Sequence, residues 1–306
     1  MADDDTHPVH PAALRIADAL VGADDPVDEL AAAPGADLTS FLLEVAQRRA
    51  AAVTPADVVR RLREDRLVEP GTVDARALHR TIATLLDALP TAFEVLELSP
   101  VAPLATCSAV ATVDQKKIVS TMRGLEVAAD PTNMLAVVAA TRSGSDARLG
   151  AVQRILRTQP FGASGQQHFT ALGLVTAGRD RGNLDFERTA LVEMLGVVAA
   201  ALQACALGPI ELRITSLRDR YTEALVDDAR AALPAVVSVV ADPARTSGRG
   251  YYRDLCFKVI ARPGADEVEV GDGGFTDWTA RLTGDRKRRL LVAGLGVDRI
   301  ATLAAR

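Results

Sequence analysis

The 306-residue sequence is poor in aromatic side chains (4%), holds only three cysteines and four histidines, and shows no excess of positive charge. Cys107, Cys205 and Cys256 lie far apart, are odd in number and form no CxxC pair, which excludes a disulfide framework. His7, His10, His79 and His168 lack ligand spacing, so no metal site is expected. With 35 Lys and Arg against 40 Asp and Glu, the net charge of -5 argues against a general nucleic-acid binder, whose affinity comes from neutralising phosphates. The one dense basic run, Asp285-Arg286-Lys287-Arg288-Arg289, reads as a solvated loop before a strand. Residues 195–207 form the longest apolar run, which contains Gln203 and is too short to span a membrane. The acidic, polar start MADDDTHP does not resemble a secretory signal. These absences lead us to expect a cytoplasmic protein without a membrane segment.

What is present divides the chain in two. Residues 1–36, rich in Ala, Asp and Pro, read as a loose arm with one short helix over 11–21. Leu38, Phe41, Leu42, Val45 and Ala46 then follow the spacing of an amphipathic helix. Thr54-Pro55 with Asp57 opens another, through about Glu64, and Asp74 caps a third that Pro90 ends. Beyond residue 90, strands are expected over 93–98, 117–122, 169–176, 210–215, 236–240, 251–260 and 290–295. Helices are expected over 132–141, 185–207 and 217–233. This order is too irregular for a parallel doubly wound sheet. It predicts an α+β domain over 91–306, with a mixed, mostly antiparallel sheet flanked by helices, after a mainly helical N-terminal extension over 1–90.

Two stretches carry chemistry. The segment RTSGRGYYRDLCFKV, residues 245–259, places two tyrosines side by side after a glycine-rich turn; strand alternation would send the rings to opposite faces. The segment LLVAGLGVDRI, residues 290–300, contains Gly294-Leu295-Gly296, but Arg299 stands where a dinucleotide fingerprint needs its third glycine. A strand entering a helix, with Arg299 one step inside it, describes this stretch better; such an arginine can meet a phosphate or stack on a base.

In this order the segments resemble the motifs of class II aminoacyl-tRNA synthetases, and those of histidyl-tRNA synthetase and its paralogue, the regulatory subunit of ATP phosphoribosyltransferase, in particular. GLGVDRI is similar to motif 3. RGYYRDLCF resembles the histidine-site strand, and DGGFTDWTARLTG (272–284) the Gly-Gly-Arg-Tyr-Asp turn. RTQPFGASGQQHFTALGLVTAG (157–178) resembles a motif 2 hairpin, AADPTNMLA (128–136) the amino-group segment Arg-Pro-Glu-x-Thr, and FEVLELSPVAPL (93–104) a motif 1 strand with Pro100. The resemblance spans roughly residues 90–304. It implies activation of a carboxylic acid by ATP with Mg²⁺, at a site where fixed arginines stabilise the charge that develops at the α-phosphate. Carried over, Arg157 contacts the α-phosphate and the substrate carboxylate, and Arg299 lies against adenine and the γ-phosphate. Gln159 and Phe169 border the nucleotide, Asp130 and Thr132 hold an ammonium group, and Tyr251 or Tyr252 lines the amino-acid pocket. Homodimerisation follows from motif 1.

Departures narrow this reading. Ser247 stands where the family's catalytic arginine precedes the glycine, with Arg249, two residues on, as its substitute. Gln167 and Ala128 replace two further arginines. No anticodon-binding domain is expected after motif 3, and the short interval between Gly178 and Ser247 leaves little room for an insertion. Together with the acidic charge, this argues against intact tRNA as a partner. Two functions remain open: a freestanding paralogue that adenylates an amino or related carboxylic acid for a small-molecule, enzyme or carrier acceptor, and a catalytically inactive amino-acid-binding regulatory subunit.

Overall fold

The computed structural model describes residues 9–142, 146–159, 166–218, 222–248, 250–264 and 266–305. Ten α-helices and ten strands run in this order among them: α1 (Pro11–Leu20), α2 (Pro26–Ala32), α3 (Gly35–Ala51), α4 (Pro55–Glu64), α5 (Ala75–Asp87), β1 (Glu94–Val95), β2 (Val101–Pro103), β3 (Leu125–Val127), α6 (Pro131–Thr141), β4 (Ala147–Leu156), β5 (His168–Arg179), α7 (Asp185–Ala204), β6 (Ile210–Ser216), α8 (Thr222–Ala232), β7 (Val237–Ala241), β8 (Arg253–Ala261), β9 (Val268–Thr276), α9 (Trp278–Thr283), β10 (Arg288–Gly296) and α10 (Val297–Ala304). Eight strands form one sheet in the order β1-β4-β5-β10-β9-β8-β6-β7, while β2 and β3 pair separately. Only the outermost pairs, β1 with β4 and β6 with β7, are parallel. The expected mixed, mostly antiparallel α+β architecture is the one observed.

Alternation along the central strands explains the layers. On β10, Leu291, Ala293 and Leu295 face one way, into a core shared with α5, α7, α8 and α10. Leu290 and Val292 face the other way, toward Leu135, Ala136 and Trp278 on α6 and α9. Gly294 continues this second face. α5 packs on α7 and α10, with Leu85 fully buried, so the last helix of the first ninety residues is joined to the main core.

The helical start is more ordered than a loose arm. Asp25 accepts from the backbone of Val27 and Asp28 and, with Pro26 in the first turn, starts α2. Ala12, Ala13 and Ile16 of α1 are buried, and Arg15 forks onto Asp37 at 3.1 and 2.9 Å. α4 carries the Thr54–Asp57 capping box, with Pro55 in the first turn.

Two strand expectations are corrected. The segment 117–122 is not a strand: Asp114 caps a short turn over Gln115–Lys117, and only Ser120 bridges to Glu126. The segment 251–260 starts late, at Arg253. Asp254 adopts φ 59° and the pairing with β9 shifts between Arg253 and Cys256, so regular alternation begins after the tyrosines. The sequence reading also passed over β4 and β9. The latter holds Gly271, Gly273 and Gly274, which mask a central strand because glycine has low strand propensity.

Candidate functional site

α6 positions the first functional group. Asp130 is its N-cap, with Oδ1 accepting from the Thr132 backbone at 2.9 Å and from the Thr132 hydroxyl at 2.7 Å. Such a cap contributes about 1 kcal/mol. The helix start rests directly on β5, because a Cβ at Gly173 would lie 2.8 Å from the Pro131 ring. Arg157, at the end of β4, reaches back to this turn. Its Nε donates to the Ala129 carbonyl at 2.9 Å and its Nη2 to Asp130 Oδ2 at 3.2 Å. The guanidinium also lies over the Phe169 ring, 5.7 Å from its centroid. Asp130 therefore starts a helix with one oxygen and fixes an arginine with the other.

Two cavities meet at these residues. One, of about 550 Å³, is bordered by Thr132, Gln159, Ser247, Tyr251 and Tyr252. The other, of about 710 Å³, is bordered by Thr72, Phe169, Val270 and Arg299. Asp130, Arg157, Asp272 and Gly294 border both. The structure thus brings Arg157, Asp130, Phe169, Arg299, Thr132 and both tyrosines together around one junction. Gln159 falls in the first cavity, apart from Phe169 and Arg299. Arg249 and the hairpin tip at 160–165 lie outside the described residues.

The tyrosine pair breaks the alternation expected for it. Gly248, at φ +78°, turns the chain, and the backbone N–H groups of Tyr251 and Tyr252 both donate to its carbonyl at 3.1 Å. Both rings then border the first cavity. They pack edge to face with centroids 4.9 Å apart, and Tyr251 packs likewise on Trp278 at 5.1 Å. Each contact of this kind adds roughly 0.5–1.5 kcal/mol beyond area burial. Burial, reinforced by nearby carboxylates, raises both phenols well above their ordinary pKa, so at neutral pH they are hydrogen-bond donors.

Sequence reasoning missed Arg245 and Asp272. The Arg245 side chain is 2% exposed; Nη2 donates to Asp272 Oδ2 at 3.0 Å and Nε to the Ser247 carbonyl at 2.9 Å, beneath the Tyr252 ring. A buried arginine needs such partners. The signal lay inside the quoted segments: Arg245 opens one and Asp272 the other. Where an arginine was expected before the glycine, Ser247 borders the first cavity, and the ordered cation comes from two residues earlier.

The remaining walls are less reactive. Cys107 borders the first cavity; burial pushes its thiol up to about 12, which disfavours the thiolate, although Asn133 Nδ2 donates to its sulfur at 3.2 Å. Gln167 donates to the Thr158 carbonyl at 2.8 Å, closing the hairpin base. Ala128 is buried against Ile155 and Ala171. Arg299 donates to the Glu269 carbonyl from the first turn of α10. Among the described residues, no group of three or more His, Cys, Asp or Glu could hold a metal, and no helix is long and apolar enough to cross a membrane.

No protein-family model matches the chain, and no curated protein does. Solved structures do match. An ATP phosphoribosyltransferase regulatory subunit/histidyl-tRNA synthetase from Bacillus halodurans is 13% identical with a TM-score of 0.60, over 78% of this chain and 82% of that one. A histidine–tRNA ligase subunit from Alicyclobacillus acidocaldarius is 14% identical with a TM-score of 0.58, over 78% and 95%. Histidyl-tRNA synthetase from a Nostoc species is 12% identical with a TM-score of 0.59, over 78% and 74%. The eight-stranded, mostly antiparallel sheet agrees with these likenesses: the chain has the fold of these synthetase and regulatory-subunit structures.

Proposed function

We propose that this protein activates an amino acid or a related carboxylic acid with ATP and passes the acyl group to an acceptor other than tRNA. The observation that carries this reading is Arg157, held between Ala129 and Asp130 on the wall shared by both cavities. A carboxylate in the first cavity attacks the α-phosphorus of ATP in the second, forming the acyl-adenylate and expelling pyrophosphate. Negative charge grows at the α-phosphate in that step, and a fixed guanidinium at the junction stabilises it. Arg299 lies against the adenine and γ-phosphate, Phe169 supports Arg157 from below, and Tyr251, Tyr252 and Thr132 shape the acid's pocket. Gln159 and Arg249 complete the proposed set, Gln159 from the acid's side. Mg²⁺ would be held by the phosphates of ATP and would offset their charge, since it binds with few carboxylates and keeps much of its water.

The same proposal includes a homodimer. The acceptor is a small molecule, a partner enzyme or a carrier protein.

A second reading has its own support. Ser247, Gln167 and Ala128 replace arginines of the resembling family, which suits a catalytically inactive amino-acid-binding regulatory subunit like that of ATP phosphoribosyltransferase. ATP–pyrophosphate exchange across a panel of amino and carboxylic acids separates the two. Exchange with one acid supports activation. Thermal stabilisation by an amino acid alone, with no exchange for any acid, supports the regulatory reading instead.

A further inference from the structure

We propose that Asp272, held in place by Arg245, is the carboxylate that binds a protonated amine of the substrate. This rests on the reading above for an acid occupying the first cavity, and it names the group that selects that acid. Asp130, which the sequence resemblance assigns to an ammonium, has both oxygens engaged. Oδ1 accepts from the Thr132 backbone and hydroxyl, and Oδ2 accepts from Arg157. Asp272 meets Arg245 through Oδ2 at 3.0 Å and also accepts from the Tyr252 hydroxyl, yet its side chain stays 41% exposed, against 23% for Asp130. A carboxylate can accept about four hydrogen bonds, so Asp272 retains capacity on its exposed side.

The sheet directs that capacity. Asp272 on β9 pairs in register with Gly294 on β10, and a Cβ at Gly294 would meet nothing within 4 Å. The missing side chain leaves open the space beside the carboxylate, and both residues border both cavities. Behind it, Arg245 is fixed by the Ser247 carbonyl and the Tyr252 ring, so the carboxylate is aimed before any ligand arrives. An acid lacking the amine would bury Asp272 without a donor to replace its water, and a site built around a polar partner rejects such analogues strongly.

Arg245 limits the cost of ionising this carboxyl. Burial raises the Asp272 pKa, while Arg245 and the Tyr252 hydroxyl oppose that shift. The other charged or titratable groups around it are Glu269 on its own strand, Lys258 opposite on β8 and paired to Glu269 at 2.8 Å, Tyr251, and Asp130 with Arg157 across the cavities. Without Arg245 the carboxyl would take up a proton at higher pH and lose the amine.

The test uses the full chain, titrated with the proteinogenic amino acids and with the 2-hydroxy acid counterpart of each one that stabilises it. Thermal stabilisation without nucleotide is read alongside pyrophosphate exchange. Asp272→Asn should bind the stabilising amino acid roughly ten- to a hundredfold more weakly and discriminate less against its hydroxy counterpart. Gly294→Val, which fills the space beside Asp272 without a backbone clash, should also weaken binding and covers the case in which Asp272→Asn fails to fold. Arg245→Gln should move the pH at which binding is lost upward, with Arg245→Lys restoring part of it. Wild-type-like amine discrimination in Asp272→Asn overturns the assignment, as does the absence of stabilisation by any amino acid. Exchange that persists unchanged in Asp272→Asn overturns it and leaves the activation reading standing. Amine-dependent stabilisation lost in Asp272→Asn, with no exchange in the wild type, supports Asp272 and removes activation.

Discussion

Arg157 Nη2 lies 3.2 Å from Asp130 Oδ2, where the end of a β-hairpin strand meets the start of a helix. The contact draws the cap of α6 and the arginine that follows β4 onto one wall between two cavities. Its position depends on backbone packing upstream of any ligand.

That dependence is testable at Gly173. A Cβ there would come within 3.0 Å of two Pro131 ring atoms and 3.2 Å of the Thr132 nitrogen, neither of which can yield without moving α6. Gly173→Val should cost about 1–3 kcal/mol of stability and weaken ligand binding, measured by denaturant unfolding and thermal shift. Unchanged stability would mean that α6 is not seated as described.

Arg299 sits in the second cavity alone, so its role separates from that of the acid's pocket. Arg299→Ala should raise the KM for ATP in exchange roughly tenfold and leave stabilisation by the acid unchanged. An equal loss of acid binding would contradict the division of the two cavities.

The single tryptophan reports on the first cavity. Trp278 is 1% exposed and stacks edge-on to Tyr251, which borders that cavity. Ligand binding should therefore change its fluorescence, and Trp278→Ala should cost about 3–5 kcal/mol. Ligand-induced stabilisation with no spectral change would place the ligand elsewhere.

Both cavity tyrosines hold pKa values well above 10 because burial disfavours the phenolate. The folded state thus keeps protons that the unfolded chain releases, and stability falls as pH rises past the ordinary tyrosine value. A phenolate absorbance titration should show at most one of the three tyrosines ionising near pH 10 before the protein unfolds. Three ionising together in the folded protein would contradict their burial.

Much of this arrangement was legible in the sequence, for identifiable reasons. Asp130-Pro131-Thr132 could be read as a helix start because capping is local, and the long helix expected over 185–207 is α7. Arg157, Phe169 and Arg299 were found through motif order, which survives where composition is uninformative. The tyrosine register was not legible: it depends on the left-handed Asp254 and on a shift against β9 that no local pattern announces. Arg245 and Asp272 escaped because each looks ordinary in its own segment. Their contact joins Arg245, ahead of β8, to Asp272 on β9 across 27 residues of sequence, which no local pattern announces.

The most direct test pairs exchange with melting in Arg157→Ala. The account predicts that wild-type protein catalyses ATP–pyrophosphate exchange with at least one amino or carboxylic acid. The variant should lose about 100-fold or more of that rate while its melting temperature stays nearly unchanged. A large fall in melting temperature would mark Arg157 as structural, and retained exchange in the variant would contradict its place at the reacting phosphate.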